Sequence, residues 1–343
     1  MFRKILQLFM PILPLLLAMA AGSVIIAVTG NNPVEIYQKM VRSTFCSGYG
    51  FGQLLFRSTT LVLTGLAVAL PFKVKLFNIG GEGQLLMGCF AAAICGTSLP
   101  QSTPSAIAVP VVLSAAITAG CLWALLAGWL KVRYGVNEVI STIMLNFIAQ
   151  AITGYLLTYR FAVPSTVHTA PIIAGSRLPG LDDLVGLAWH SPANISVFIA
   201  LLASGASAIL LYRSRYGYAM IASGLKPDAA RHAGISTNRH ILASMAMGGA
   251  IAGLCAGNLV LGYRHWFEEG MASGAGFMGI AVALLAGANP LWIIASALLF
   301  GWLDYGGLSV NTLVPKDIFM MVQAVTILGI ISFPTLIRKV FRD

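Results

Sequence analysis

Charge is scarce in this chain. Only 9% of its 343 residues are Asp, Glu, Lys or Arg, while 58% are hydrophobic. A soluble domain carries about 25% charged residues, so this chain cannot cover a water-facing surface. It reads as a polytopic membrane protein. Acids are scarcer still, 11 against 21 bases, for a net charge of +10. That excess is not a nucleic-acid signal. Most of the bases sit in short segments between apolar runs, the pattern that holds loops in the cytoplasm, and no nucleic-acid partner is expected. Cysteine is sparse as well. Cys46, Cys89, Cys95, Cys121 and Cys255 include no C-x-x-C pair, and four of them fall inside apolar runs. They read as small packing residues, not as a metal site or a disulfide framework.

Catalytic signatures are missing too. There is no G-x-x-x-x-G-K-[ST], so the chain does not hold ATP by a P-loop. Neither H-E-x-x-H nor G-x-S-x-G occurs, and the five His are isolated, which removes the commonest membrane hydrolases. No cofactor or metal is expected.

What the chain has in abundance is apolar runs. A span needs about 20 apolar residues. Candidate spans cover about 5–28, 54–72, 78–95, 106–130, 137–159, 191–212, 241–263, 276–286, 291–307 and 318–337. Ala18-Met19-Ala20 resembles a signal-cleavage site, but the first run exceeds the 7–15 residues of a signal core, so it is read as a retained helix. Ten spans place both termini in the cytoplasm. Residues 30–53 and 160–190 then form external loops, and 213–240 forms a cytoplasmic one. The eighth run is too short to cross alone and must be broken, tilted or covered. Two halves, about 54–160 and 241–337, each carry a Gly-rich, interrupted element in second place. These are Asn78–Gly88 and Gly274–Gly287. Interrupted helices at matching positions of inverted repeats point to a transport pathway. Gly-rich helices also serve packing alone.

The polar stretch 213–240 organises the rest. Arg213, Arg215, Lys226, Arg231 and Arg239 face the single acid Asp228. Gly224 can end one short helix, Pro227 can open another and Gly234 can end that one. The stretch is either a solvated connector or a short helix held against a cytoplasmic partner, with Ala229 and Ala230 as a small face for close approach.

Three acids lie within apolar runs, Glu82, Glu138 and Asp304, and charges there are functional candidates by default. Asn78 and Asn137 can each cap a helix whose first turn holds the acid, so Glu82 and Glu138 are equally readable as helix starts near the cytoplasmic interface. Asp304 lies mid-span, where it can pair with a neighbouring helix.

The motifs carry a resemblance. Leu76-Phe77-Asn78-Ile79-Gly80-Gly81-Glu82-Gly83-Gln84 with Gly88 resembles a hallmark of bacterial ABC importer permeases of the branched-chain amino acid, ribose and nucleoside group. So do Gly135-Val136-Asn137-Glu138 through Asn146, and the 213–240 stretch with Gly217, Gly224, Pro227, Ala229, Ala230 and Gly234. The run Gly279–Gly287 with Asn289-Pro290 is a fourth block, and the blocks come in the family's order. The resemblance implies an all-α, single permease domain of about ten helices, of the type II vitamin-importer kind, in the bacterial inner membrane. It implies a cytoplasmic ABC ATPase docked on 213–240, a second permease subunit and an external solute-binding lipoprotein. Asn78, Glu82, Gln84, Asn137, Glu138 and Asn146 would line or gate the solute path. Gly217, Gly224, Lys226, Pro227, Ala229, Ala230, Arg231 and Gly234 would couple to the ATPase. The Phe-Asn-Ile-Gly-Gly-Glu-Gly-Gln form looks like the nucleoside branch. Riboflavin and simple sugars such as ribose remain as other solutes. The family's Gly-Glu-Asn before the coupling Pro is here Gly224-Leu225-Lys226, which removes an acid from the docking contact. An ion-coupled secondary transporter is the rival in kind, with Asp304 as its one clear titratable group.

Overall fold

The computed structural model describes residues 12–28, 30–186, 189–315, 317–325 and 328–329. The cytoplasmic placement of both termini, and half of the last expected span, fall outside them. Among the described residues the chain is helical, with only isolated β-bridges. The helices are α1 (Ile12–Val28), α2 (Pro33–Phe45), α3 (Gly48–Lys73), α4 (Gly81–Ser98), α5 (Ser105–Tyr134) and α6 (Glu138–Leu156). They continue with α7 (Leu181–Val185), α8 (Ser196–Arg213), α9 (Arg215–Leu225), α10 (Pro227–His232), α11 (Thr237–Gly253), α12 (Ala275–Leu285) and α13 (Pro290–Ser309). Two π-helical segments, Leu157–Phe161 and Gly257–Arg264, prolong α6 and α11. Among the described residues six helices, counted with these extensions, are long and apolar enough to cross a membrane: Gly48–Lys73, Ser105–Tyr134, Glu138–Phe161, Ser196–Arg213, Thr237–Arg264 and Pro290–Ser309. Of the two interrupted elements, α4 has 18 residues and α12 only 11.

One expected loop is a helix. Residues 30–53 read as polar and mixed, yet 33–45 form α2, and α3 already starts at Gly48. Asn32 caps α2, its side chain accepting from the Val34 amide at 3.0 Å, and Pro33 fills the first turn. Ile36, Met40 and Thr44 recur every four residues and form the buried face, so the stripe was present but interleaved with charge.

The chain divides into two compact units. One comprises the described residues within 1–58, 188–191 and 298–343. Its core joins Ile26, Ile36, Met40, Leu303, Val310 and Phe319. Arg57 of α3 makes an ion pair there with Asp304 of α13, which gives Asp304 its partner on a neighbouring helix. The other unit comprises 59–187 and 192–297 and draws on both sequence halves. Its helices α5 and α11 meet through small residues. Cβ atoms on Gly120 and Gly249 would each run into the other's carbonyl, and one on Gly253 into that of Ala116. Small residues four apart on both helices allow this approach, the usual device where no hydrophobic effect drives helices together. A second cluster, Leu70, Val74, Leu76, Ala127, Leu211, Met220 and Met245, ties the ends of α3, α5 and α8 to α9 and α11.

Candidate solute pathway

The site begins where the chain leaves α3 and turns back. Asn78 is fully buried. Its amide nitrogen donates to the Ala67 carbonyl and to Gln84 Oε1, both at 3.1 Å, and its oxygen accepts from Gln84 Nε2 and the Gly80 amide at 3.0 Å. Ala67 lies six residues before the end of α3, so the segment re-enters by about 9 Å. This puts Asn78 and Gln84 deeper than an interfacial helix start. From α6, Asn146 Oδ1 accepts from the Gly83 amide and its nitrogen donates to the Ile79 carbonyl, both at 2.9 Å. One orphan donor in the first turn of α4 and one loop carbonyl are thereby satisfied.

Glu82 reaches the other interrupted helix. Its two oxygens accept from the amides of Gly274 at 2.9 Å and Gly276 at 2.7 Å. Gly274 is the N-cap of α12, so a carboxylate of α4 caps α12 across the fold. The two helix starts touch. A Cβ on Gly276 would collide with the backbone of Gly81 and Glu82. Two positive dipole ends therefore meet at one carboxylate.

Above this crossing lies a cleft of about 110 Å³. One face of α6 lines it with Phe147, Gln150 and Gly154, α12 gives Phe277, and the preceding turn gives Glu269 and Ser273. Ligand pockets run to roughly 300–1,000 Å³, so the cleft within this chain is smaller than a complete ligand site. At its rim Glu268 is bound by Arg264 at 3.0 Å and by the Trp266 ring nitrogen at 3.1 Å. Burial, and then the nearby Arg177 cation, hold His265 below the usual histidine value.

The sequence-proposed residues do not all gather here. Asn78, Glu82, Gln84 and Asn146 form one network. Asn137 and Glu138 sit eight or more residues before Asn146 on α6, about 12 Å away along the axis. There Asn137 accepts from the Val139 amide at 2.8 Å, and Glu138 pairs with Lys131 at 2.8 Å. Phe147, Gln150, Glu269 and Phe277 were missed. A polar amide at Gln150, four residues after Asn146 inside an apolar run, was the available signal.

The 213–240 stretch is two short helices, α9 and α10, joined at Lys226. Pro227 opens α10, and Gly234 follows it with φ +78°. Ser214 caps α9, accepting from the Gly217 amide at 2.9 Å. Gly217 and Gly224 are buried, and a Cβ on Gly224 would strike the Lys73 carbonyl and Val74. Ala230 is buried as well, at 5% exposure. The expected pair of small residues facing outward is therefore a single one, Ala229. The exposed members are Lys226, Pro227, Ala229, Arg231 and Gly234. Arg231 lies 3.6 Å from Asp228 and donates to Thr237 at 3.2 Å.

Residues 50–331 match the family described as branched-chain amino acid transport system, permease component. The chain is 34% identical to the guanosine ABC transporter permease protein NupP of Bacillus subtilis, covering 97% of this chain and 95% of that one. It is 32% identical to the glucose ABC transporter permease protein TsgB13 of Haloferax volcanii, over 94% and 86%. It is 31% identical to the nucleoside ABC transporter permease protein NupB of Lactococcus lactis, over 95% and 91%. No solved structure matches it significantly.

Proposed function

Because the chain belongs to the family of branched-chain amino acid transport system permease components, and is the multi-pass transport subunit of an ABC importer, we propose that its solute is a nucleoside. Two of the relatives above are named for guanosine or nucleoside transport. Within the chain, the observation that carries the reading is the cleft itself. It has two exposed aromatic faces, Phe147 and Phe277, suited to a flat base. It has no Lys, Arg or His among its lining, so the carboxylate of an amino acid would find no cation there.

The pathway is completed by a second permease subunit. Beside the cleft α6 exposes Ile140, Met144, Phe147, Ile148, Ile152 and Tyr155, a stripe continuous with one wall of an unfinished space. An external binding lipoprotein delivers the solute, and a cytoplasmic ATPase docks on α10. The membrane is the bacterial inner membrane, with both termini cytoplasmic. A sugar permease is the second reading, favoured by the glucose-named relative. The ion-coupled alternative is weakened because Asp304, the acid it needs, is already paired with Arg57.

Uptake by the reconstituted complex of this chain, a second permease, the ATPase and the binding protein tests the reading. Nucleoside uptake that requires ATP is expected. Uptake driven by an ion gradient alone, or of glucose and not nucleoside, would overturn it.

A further inference from the structure

We propose that Gln150 is the residue through which this subunit recognises its solute, and that Glu269 beside it excludes anions, so that the wall accepts neutral, flat-ringed, hydrogen-bonding molecules and rejects their phosphorylated forms. The inference rests on the cleft being the solute path. It adds which atoms do the recognising.

Gln150 sits midway along α6, exposed, on the face that lines the cleft. Among the described residues its side-chain amide has no hydrogen-bond partner. The neighbouring amides do not share this condition. Asn78, Gln84 and Asn146 are committed to one another, to backbone groups or to both. A primary amide left unpaired against hydrocarbon costs several kcal/mol, so Gln150 is stable in a membrane span only where water, a polar solute or a polar group of a partner subunit meets it. An amide offers both donors and an acceptor, which matches the mixed edge of a nucleobase or the hydroxyls of its sugar.

The surroundings fit the same class. Phe147 lies one turn before Gln150 and is 59% exposed, and Phe277 faces the cleft from α12 at 45%. One turn beyond, a Cβ on Gly154 would meet nothing within 4 Å, so the floor next to the amide is open. Glu269 is exposed on the same cleft, and its carboxylate has no partner among the described residues, unlike Glu268. Glu82 lies at the base of the cleft, its charge held by two amides. A phosphate entering would face both carboxylates with no cation in the cleft's lining, whereas a neutral nucleoside carries no charge to be repelled.

Two measurements on the reconstituted complex decide this. The first is guanosine uptake by Gln150→Met, which keeps volume and removes the amide. Loss of a solute hydrogen bond should lower kcat/KM roughly tenfold. The second is thiol labelling of Gly154→Cys, read by mass spectrometry at that residue. A cationic methanethiosulfonate should react about tenfold faster than an anionic one of similar size, guanosine should slow both, and Glu269→Gln should remove most of the charge preference. Wild-type uptake in Gln150→Met, or equal labelling by the two reagents, overturns the inference while leaving nucleoside import intact. A wild-type complex that imports no nucleoside overturns the underlying reading instead. If Gln150→Met fails to assemble, the labelling ratio still decides.

Discussion

The carboxylate of Glu82 accepts the backbone amide of Gly276 at 2.7 Å. The acid that begins one interrupted helix therefore caps the other. This makes Glu82 a positioning residue first. It fixes the start of α12, and with it Phe277 and the turn carrying Glu269 and Ser273, against α4. Removing its charge should loosen the crossing without emptying it, because a Gln keeps one acceptor. Glu82→Gln is expected to leave the amount of assembled complex unchanged and to lower uptake severalfold. Glu82→Ala strands two donors, the buried amide of Gly276 and the half-buried one of Gly274, at about 1–3 kcal/mol for a buried one, and should also lower the melting temperature of the purified complex. If Glu82→Gln reduces assembly in proportion to uptake, the crossing serves stability alone.

Gly154 offers a test in which stability and transport move in opposite directions. It lies within a helix, where Gly costs about 1 kcal/mol relative to good helix formers, and its missing side chain opens onto the cleft. Gly154→Leu should raise thermal stability or leave it unchanged, yet cut uptake by an order of magnitude. Unaltered uptake with normal expression would place the solute path elsewhere.

The Arg57–Asp304 pair is partly exposed, with side chains 26% and 42% accessible. Its energy must be discounted from that of a fully enclosed pair. Asp304→Asn alone leaves Arg57 uncompensated and should cost about 1–2 kcal/mol in thermal stability. Arg57→Met with Asp304→Leu should recover most of that loss, and with it ATP-driven uptake. A double variant that is stable but inactive would show that the pair carries more than structure.

The sequence made the helical architecture and the meeting elements legible for a physical reason. Apolar runs and glycine clusters report burial and close approach directly, so α3, α5, α6, α8, α11 and α13 lie near their expected limits. It failed at α2, where lysine, arginine and glutamate are interleaved with Ile36, Met40 and Thr44. A stripe shared by one buried face and one charged face averages to a polar segment. At the site, Asn78, Glu82, Gln84 and Asn146 were legible as a group because polar residues in apolar spans are conspicuous. Which of them are spent on internal bonds was not legible, since that depends on contacts such as Glu82 with Gly276, 194 positions apart. Gln150 escaped for the converse reason. It stands outside the motif, and its freedom from partners among the described residues is a property of the fold alone.

Coupling to the ATPase gives the last prediction, and the structure changes how it must be tested. A permease without a P-loop receives work only through contacts that differ between states of the complex. The segment α10 projects Lys226, Pro227, Ala229 and Arg231 outward, while Gly217, Gly224 and Ala230 face the chain's own helices. Gly224 packs on the backbone at the end of α3, which joins α9, and through it α10, to the helix whose continuation at Asn78 holds α4. A bulky group at Ala230 would break that internal packing and say nothing about docking. Ala229 is the informative position, because it is exposed, small and flanked by Arg231. Ala229→Arg should leave membrane insertion, permease assembly and binding-protein capture intact. It should reduce solute-stimulated ATP hydrolysis at least tenfold by keeping α10 out of its groove. Ala230→Arg should instead lower the yield of folded chain. Wild-type stimulated hydrolysis in Ala229→Arg would show that α10 rests on lipid headgroups and that the ATPase engages another surface.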